Sequence, residues 1–122
     1  MTRSTLLGIA GLLLVTSTSC RHHAGGSHPA VIVRIVGNPL GNPDSFYKPS
    51  TVHVRVGQTV EWVDRDDSDH TVTPEPSTRA WSGGSPVLST GKSYRFRFTR
   101  PGSYRYHCMV HPNMLGFVVV TR

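Results

Sequence analysis

Three side chains that could bind a soft metal ion lie close together near the end of the chain. Cys108, His111 and Met114 follow one another at intervals of three residues within the segment YHCMVHPNM, residues 106–114. A thiolate, an imidazole and a thioether suit copper, which can be bound by two histidines and a cysteine with a weak axial methionine. The spacing therefore predicts three of the donors of a copper site.

Such a site needs a second histidine, and His70 is the best candidate. It directly follows the polar loop DRDDSD and opens the segment HTVT. A sandwich of strands can bring the start of this segment beside the 108–114 loop, although the two are far apart in the sequence. We therefore predict that one copper ion binds to four residues: His70, Cys108, His111 and Met114.

Each of these residues also has an ordinary explanation. A free cysteine is often a small buried hydrophobe, and a single methionine often fills a core. A zinc site of one cysteine and two histidines is chemically conceivable, but methionine is a poor zinc ligand, which favours copper. A disulfide between Cys108 and Cys20 would leave both histidines unused. The four residues together favour a metal site.

The remaining sequence predicts the strands that must position these residues. The chain has 122 residues with 12 glycines and 9 prolines, and only 16% of its residues are charged. This turn-rich composition suits a single β domain and excludes a multidomain enzyme. Segments of alternating polarity lie between turn signals. The predicted strands are 31–36, 51–56, 59–63, 70–73, 93–99, 103–108 and 116–121. We predict an all-β fold, a Greek-key β-sandwich of about seven or eight strands.

The basic charge of the chain does not indicate nucleic-acid binding. The formal net charge is +6, but the aromatic residues alternate toward the core instead of lying between surface cations. Four arginines are expected on the solvent side of neighbouring strands: Arg95, Arg97, Arg100 and Arg105. They would form either a solvated face or a docking surface for an acidic partner.

The N-terminal residues resemble an export signal. Arg3 supplies a positive charge, and the apolar run LLGIAGLLLV at residues 6–15 has the length of a signal-peptide core, too short for a membrane span. Small residues then lead to Cys20, as in the lipobox of bacterial lipoproteins, although Ser17 stands where that motif has Leu or Val. We predict a signal peptide over 1–19 and a lipid anchor at Cys20, with plain secretion as the alternative.

A polar, glycine-bearing segment follows the predicted anchor. Residues 20–29 include RHHAGGSHP and are expected to form a flexible tether to a domain over 30–122. His22, His23 and His28 lie in this tether and could bind a metal ion loosely, but an unstructured polar leader is the favoured interpretation. The domain is expected in the bacterial periplasm or on the outer face of the cytoplasmic membrane.

From about Phe46 onward, the sequence resembles the cupredoxins, the small type 1 (blue) copper proteins. It is most similar to the group of amicyanin, plastocyanin and pseudoazurin, through FYKPSTVHVRVGQTVEWVDRDDSDHTVT and GKSYRFRFTRPGSYRYHCMVHPNMLGFVVV. The short loop from Cys108 to Met114 resembles that of amicyanin, since plastocyanin-type loops are longer before the methionine. The resemblance implies a cupredoxin fold with His70, Cys108 and His111 as equatorial copper ligands and Met114 as the axial ligand.

One residue departs from the family pattern. The family usually carries an asparagine six residues before the first histidine ligand, where its side chain connects the two ligand loops by hydrogen bonds, and this chain has Asp64. Aspartate has no amide donor and would add negative charge near the thiolate. We expect either that the loops are connected differently or that the site has a lower reduction potential.

The resemblance and the donor set together imply an extracytoplasmic one-electron carrier. A thiolate, two imidazoles and a distant thioether lie between the preferences of Cu(I) and Cu(II), so the metal can change oxidation state with little movement. No second Cys/His cluster is evident in the folded region, so we expect no enzymatic activity. The expected partners are transient redox proteins, and the protein is expected to be a monomer. The alternative is a copper-buffering or copper-delivery lipoprotein.

Overall fold

The computed structural model describes residues 28–37, 46–78 and 80–122. The predicted signal peptide, Cys20, His22 and His23 lie outside these residues. Within the described residues every regular element is a strand. The same residues contain no helix that is long and apolar enough to cross a membrane. His28 is described and is exposed to solvent.

In the part of the chain that the structure describes, eight strands form two four-stranded sheets. The strands are β1 (Val31–Ile35), β2 (Tyr47–Lys48), β3 (Thr51–Arg55), β4 (Thr59–Asp64), β5 (Thr73–Pro74), β6 (Ser93–Arg97), β7 (Gly102–His107) and β8 (Leu115–Thr121). The first sheet has the order β2-β1-β4-β6 and the second β3-β8-β7-β5. The prediction of an all-β sandwich with seven or eight strands is confirmed.

The alternating sequences place the core between the two sheets. In β3, Val52 and Val54 are buried, and the residues that alternate with them are exposed, as a strand with a side-chain period of two requires. In β4, Val60 and Trp62 are buried in the same way. Strands β1 and β4 are parallel, as are β3 and β8. Their inward faces form one hydrophobic cluster that also contains Cys108 and Met114.

Aromatic residues fill the centre of this core. The rings of Trp62 and Trp81 stack with centroids 5.3 Å apart, and Tyr106 meets both edge-on. The ring of Tyr106 lies directly against the backbone of Gly116, where any added Cβ would overlap it. The absence of a side chain at Gly116 lets the ring of Tyr106 lie across its paired residue in β8, on the buried face of the sheet.

The pairing of β7 with β8 positions the predicted metal-binding loop. Their register aligns Tyr106 with Gly116 and His107 with Leu115. Residues 108–114 therefore form the connection between two adjacent antiparallel strands. This connection lies at the end of the sandwich where β7 ends and β8 begins.

Two details of the sequence prediction were wrong. His70 to Thr73 is not one strand, because His70 forms an isolated bridge with Leu88 and only Thr73 and Pro74 pair with β7. The backbone changes partners between these two positions. The strands that carry Arg95 and Arg105 are not neighbours, since β6 and β7 belong to different sheets, so these arginines do not form one basic surface.

Candidate metal centre

Hydrogen bonds within the 108–114 loop fix the two residues at its ends. The N–H of Cys108 donates to the carbonyl of Met114 over 3.1 Å, and the N–H of Met114 donates to the carbonyl of His111 over 2.9 Å. Cys108 and Met114 are fully buried, whereas His111 is half-buried. The loop therefore presents a buried thiol, a buried thioether and an imidazole at the protein surface.

His70 reaches this loop from the facing segment. Its backbone N–H donates to Leu88 over 2.9 Å and its carbonyl accepts from Leu88 over 2.7 Å, which holds the fully buried histidine in place. The Nδ1 atom of His70 lies 3.9 Å from the Sγ atom of Cys108. The Nδ1 atom of His111 lies at the same distance from that sulfur.

The separation of these donors fits one metal ion. Metal–nitrogen bonds of about 2.0 Å and metal–sulfur bonds of about 2.3 Å allow at most about 4.3 Å between the two donors, and both nitrogen–sulfur distances are 3.9 Å. The ligand atoms of His70, Cys108 and His111 all lie within 4.8 Å of one another. Two imidazoles, a thiolate and a nearby methionine form a donor set that suits a type 1 copper ion.

Phe46 covers the two histidines and was not identified from the sequence. Its ring stacks on His111 with centroids 5.7 Å apart and lies 6.1 Å from the ring of His70. The residue precedes β2, far from both histidines in the chain. No local pattern marks it, because its position depends on the pairing of β1 with β2.

Thr71 connects the two ligand segments, a role that the sequence analysis considered only for position 64. Its hydroxyl accepts a hydrogen bond from the N–H of Met109 over 2.8 Å, and its own N–H donates to the sulfur of Cys108 over 3.3 Å. The carbonyl of Thr71 accepts from the hydroxyl of Tyr47 over 2.6 Å. Thr71 therefore bonds both to the sulfur that could bind a metal ion and to the backbone of the residue after it.

Asp64 is the last residue of β4, where the loop that leads to His70 begins. It is fully buried, and its Oδ1 accepts a hydrogen bond from the N–H of Asp66 over 2.9 Å. Its Oδ2 has no hydrogen-bond partner among the described residues. Burial raises the pKa of Asp64, and the hydrogen bond from Asp66 offsets part of this effect. Neighbouring Arg65 is exposed and forms no ion pair with Asp64 among the described residues.

Asp66 contacts Nε2 of His70, the ring nitrogen that faces away from Cys108. This contact was not predicted from the sequence. The Oδ2 of Asp66 lies 2.7 Å from the Nε2 of His70. Partial burial acts to raise the pKa of Asp66, but the hydrogen bonds with His70 and with the backbone of Asp67 outweigh it and lower the pKa below its usual value. The sequence sign of this contact is an aspartate four residues before a histidine. It could not be singled out, because the loop contains four acidic residues.

Comparison with known proteins agrees with this geometry. Residues 9–120 match the family described as Cupredoxin-like domain. Amicyanin from Paracoccus denitrificans is 36% identical over 75 residues, which cover 61% of this chain and 57% of that protein. The match to a second curated amicyanin, from Methylorubrum extorquens, covers 63% of it, so the chain spans under two thirds of either relative.

Solved structures share the fold. A purple cupredoxin from Nitrosopumilus maritimus superimposes with a TM-score of 0.63 at 30% identity, covering 75% of this chain and 99% of that one. A copper-containing nitrite reductase from Thermus scotoductus gives a TM-score of 0.64 at 27% identity, covering 77% of this chain but only 23% of the reductase. The sandwich thus occurs both as a small protein and as part of a longer enzyme.

The role of the Thr71 hydroxyl can be tested without a metal. In the metal-free protein, Thr71→Val removes the acceptor of the Met109 N–H, whereas Thr71→Ser retains it. A hydrogen bond of this kind contributes about 1 to 1.5 kcal/mol, so we expect the Met109 amide to exchange about five- to tenfold faster in the valine variant. NMR-detected hydrogen exchange measures this rate. Equal exchange rates in the two variants would show that the hydroxyl does not hold the loop.

The raised pKa of Asp64 predicts a pH-dependent stability. Because the folded-state pKa exceeds the unfolded one, ionisation favours the unfolded state, and this cost grows as the pH rises above about 4. Asp64→Asn retains an acceptor for Asp66 and cannot ionise. We therefore expect the free energy of unfolding of the variant, relative to that of the unaltered protein, to be higher at pH 7 than at pH 3.5.

Chemical denaturation of the metal-free proteins at both pH values measures this difference. Asp67→Asn, which removes an exposed carboxylate from the same loop, is the control and should change stability by less than about 0.5 kcal/mol. An equal gain for Asp64→Asn at both pH values would mean that Asp64 does not ionise at a cost in the folded protein.

Proposed function

The chain belongs to the cupredoxin family, since the family description matches nearly its whole length, and from this we propose that it is a one-electron carrier with a single copper ion. The proposed ligands are His70, Cys108 and His111, with Met114 in the axial position. The observation that supports this assignment most is the convergence of two Nδ1 atoms on one sulfur, each at 3.9 Å.

The way in which the ligands are held favours electron transfer. A bound copper ion would supply the one-electron exchange between Cu(I) and Cu(II). His70 is fixed by two backbone hydrogen bonds to Leu88, and Cys108 by its bond to Met114. The N–H of Thr71 also donates to the sulfur. Ligands held in this way move little when the charge of the metal changes, which lowers the cost of reorganisation.

We propose that the chain has no enzymatic activity of its own. Catalysis at copper needs an open coordination position or a second metal. Within the described residues, the group formed by His70, Cys108 and His111 is the one cluster of His, Cys, Asp or Glu suited to a metal ion. The related nitrite reductase is a longer protein, of which this chain corresponds to 23%.

The surface around His111 is the proposed contact for redox partners. Met109 is 70% exposed and Val110 50% exposed, and both precede the half-buried His111 in the loop. Pro112 is exposed beside them. These residues form an apolar rim around the imidazole that is nearest to solvent, and such a surface suits brief contacts between a monomeric carrier and a partner protein.

Copper loading and absorption spectroscopy test the proposed site. The soluble domain, residues 30–122, should bind one copper ion per chain, show an intense visible charge-transfer band and cycle reversibly between the two oxidation states. Cys108→Ser should lose the band because the thiolate is its source. Met114→Leu should keep the band and raise the reduction potential, since the axial bond is weak.

The exposed Met109 is the matched control for the axial methionine. Met109→Leu should change neither the band nor the potential. Loss of the band in Met114→Leu would contradict the ligand assignment. Binding of more than one copper ion without reversible redox cycling would instead favour the alternative function, a protein that buffers or delivers copper.

We further propose that the protein is exported and anchored by a lipid at Cys20, on the basis of the lipobox-like sequence. In a bacterial host, the full chain should then sediment with membranes, and Cys20→Ser should not. Cys108→Ser serves as the control and should remain in the membrane fraction, because it lies in the folded domain. Release of the unaltered chain into the soluble extracytoplasmic fraction would favour plain secretion.

A further inference from the structure

Asp66 contacts the side of His70 that faces away from the proposed metal. Its Oδ2 lies 2.7 Å from Nε2, while Nδ1 of the same ring faces the sulfur of Cys108. His70 is fully buried, and the side chain of Asp66 is 18% exposed. The carboxylate therefore lies at the boundary between the buried imidazole and solvent.

This contact determines which nitrogen can bind a metal. A neutral imidazole has one N–H and one nitrogen with a free lone pair, and a hydrogen bond to one nitrogen decides the arrangement. A carboxylate without a proton can only accept, so Nε2 must donate and Nδ1 must carry the lone pair. The lone pair then points toward Cys108 and His111 before any metal binds.

Several contacts hold the backbone of Asp66 in place and leave room for its carboxylate. The hydroxyl of Thr90 donates to the Asp66 carbonyl over 2.5 Å, and the N–H of Asp66 donates to Asp64 over 2.9 Å. Gly37, just after β1, leaves the space for the carboxylate, because a Cβ at Gly37 would lie 2.7 Å from its Oδ1. Parts of the fold that are distant in sequence thus combine to place one oxygen atom.

We propose that Asp66 is the positioning residue of the metal site: it fixes His70 with Nδ1 free for copper and makes that nitrogen a stronger donor, and Gly37 provides the space that this requires. The inference rests on the proposed copper site. Carboxylates that accept from a ligand histidine generally raise metal affinity 10- to 100-fold. A stronger donor favours Cu(II) over Cu(I), so Asp66 should lower the reduction potential.

The first test uses the metal-free protein and does not depend on copper. Nitrogen-15 NMR at pH 8 distinguishes the two neutral forms of His70. In the unaltered protein we expect the proton on Nε2. In Asp66→Ala we expect a mixture of the two forms, because no acceptor remains. A proton on Nδ1 in the unaltered protein, or an unchanged spectrum in Asp66→Ala, would overturn the proposal.

The second test measures Cu(II) affinity and reduction potential. Asp66→Ala should bind Cu(II) about 10- to 100-fold more weakly and should have a higher potential. Asp66→Asn keeps an acceptor oxygen but not the charge. It should therefore keep the proton on Nε2 of His70 and raise the reduction potential by less than Asp66→Ala does. Gly37→Ala, which displaces the carboxylate without removing it, should also raise the potential.

Asp67→Asn is the control for a change of charge alone. Asp67 is exposed in the same loop, and its replacement should change affinity less than twofold. If Asp66→Ala changes the affinity for Cu(II) no more than Asp67→Asn does, Asp66 has no specific role at the metal site and the proposal fails. If instead the unaltered protein binds no copper with a thiolate band, the proposed function fails, and the NMR test still decides the role of Asp66.

Discussion

The pairing of β7 with β8 is the interaction on which the candidate site depends. The two strands align Tyr106 with Gly116 and His107 with Leu115, so the residues between them must form a short loop at one end of the sandwich. Gly116 allows the ring of Tyr106 to lie against the backbone of β8. The strand that leads into the loop therefore carries Tyr106, which packs against Trp62 and Trp81 in the core. Because this core is closely packed, the positions of Cys108 and Met114 are restrained.

The first histidine depends on a different constraint. His70 belongs to neither β4 nor β5, and it is held because its backbone bonds to Leu88 in both directions. Immediately after it, Thr71 bonds to both Cys108 and Met109. The hydroxyl of Tyr47 holds the Thr71 carbonyl from the opposite side. The distance between the two ligand segments is thus set by side chains of the protein, so a metal ion would meet an assembled site.

The sequence predicted the parts of this arrangement that depend on local patterns. Alternation in TVHVRV revealed a strand with one buried face, and the intervals between Cys108, His111 and Met114 predicted one loop of donors. The remaining contacts join residues that are distant in the chain. Thr71 meets Met109 and Phe46 meets His111 only because strands pair in a specific register. The predicted strand at His70 was wrong for the same reason, since tertiary hydrogen bonds to Leu88 and β7 divide that segment between two partners.

The acidic loop shows why charge near a metal site cannot be counted from the sequence. Asp64 and Asp66 are two residues apart, yet their pKa values shift in opposite directions. Asp64 is buried, and one of its oxygens has no hydrogen-bond partner in the part of the chain that the structure describes, which favours its neutral form. Asp66 instead shares a hydrogen bond with His70, which favours its charged form. Asp67 and Asp69 face solvent, where water and salt screen their charge. Of the four carboxyl groups in these six residues, that of Asp66 is the one that contacts a candidate ligand among the described residues, and it contacts the imidazole of His70 and not the sulfur of Cys108.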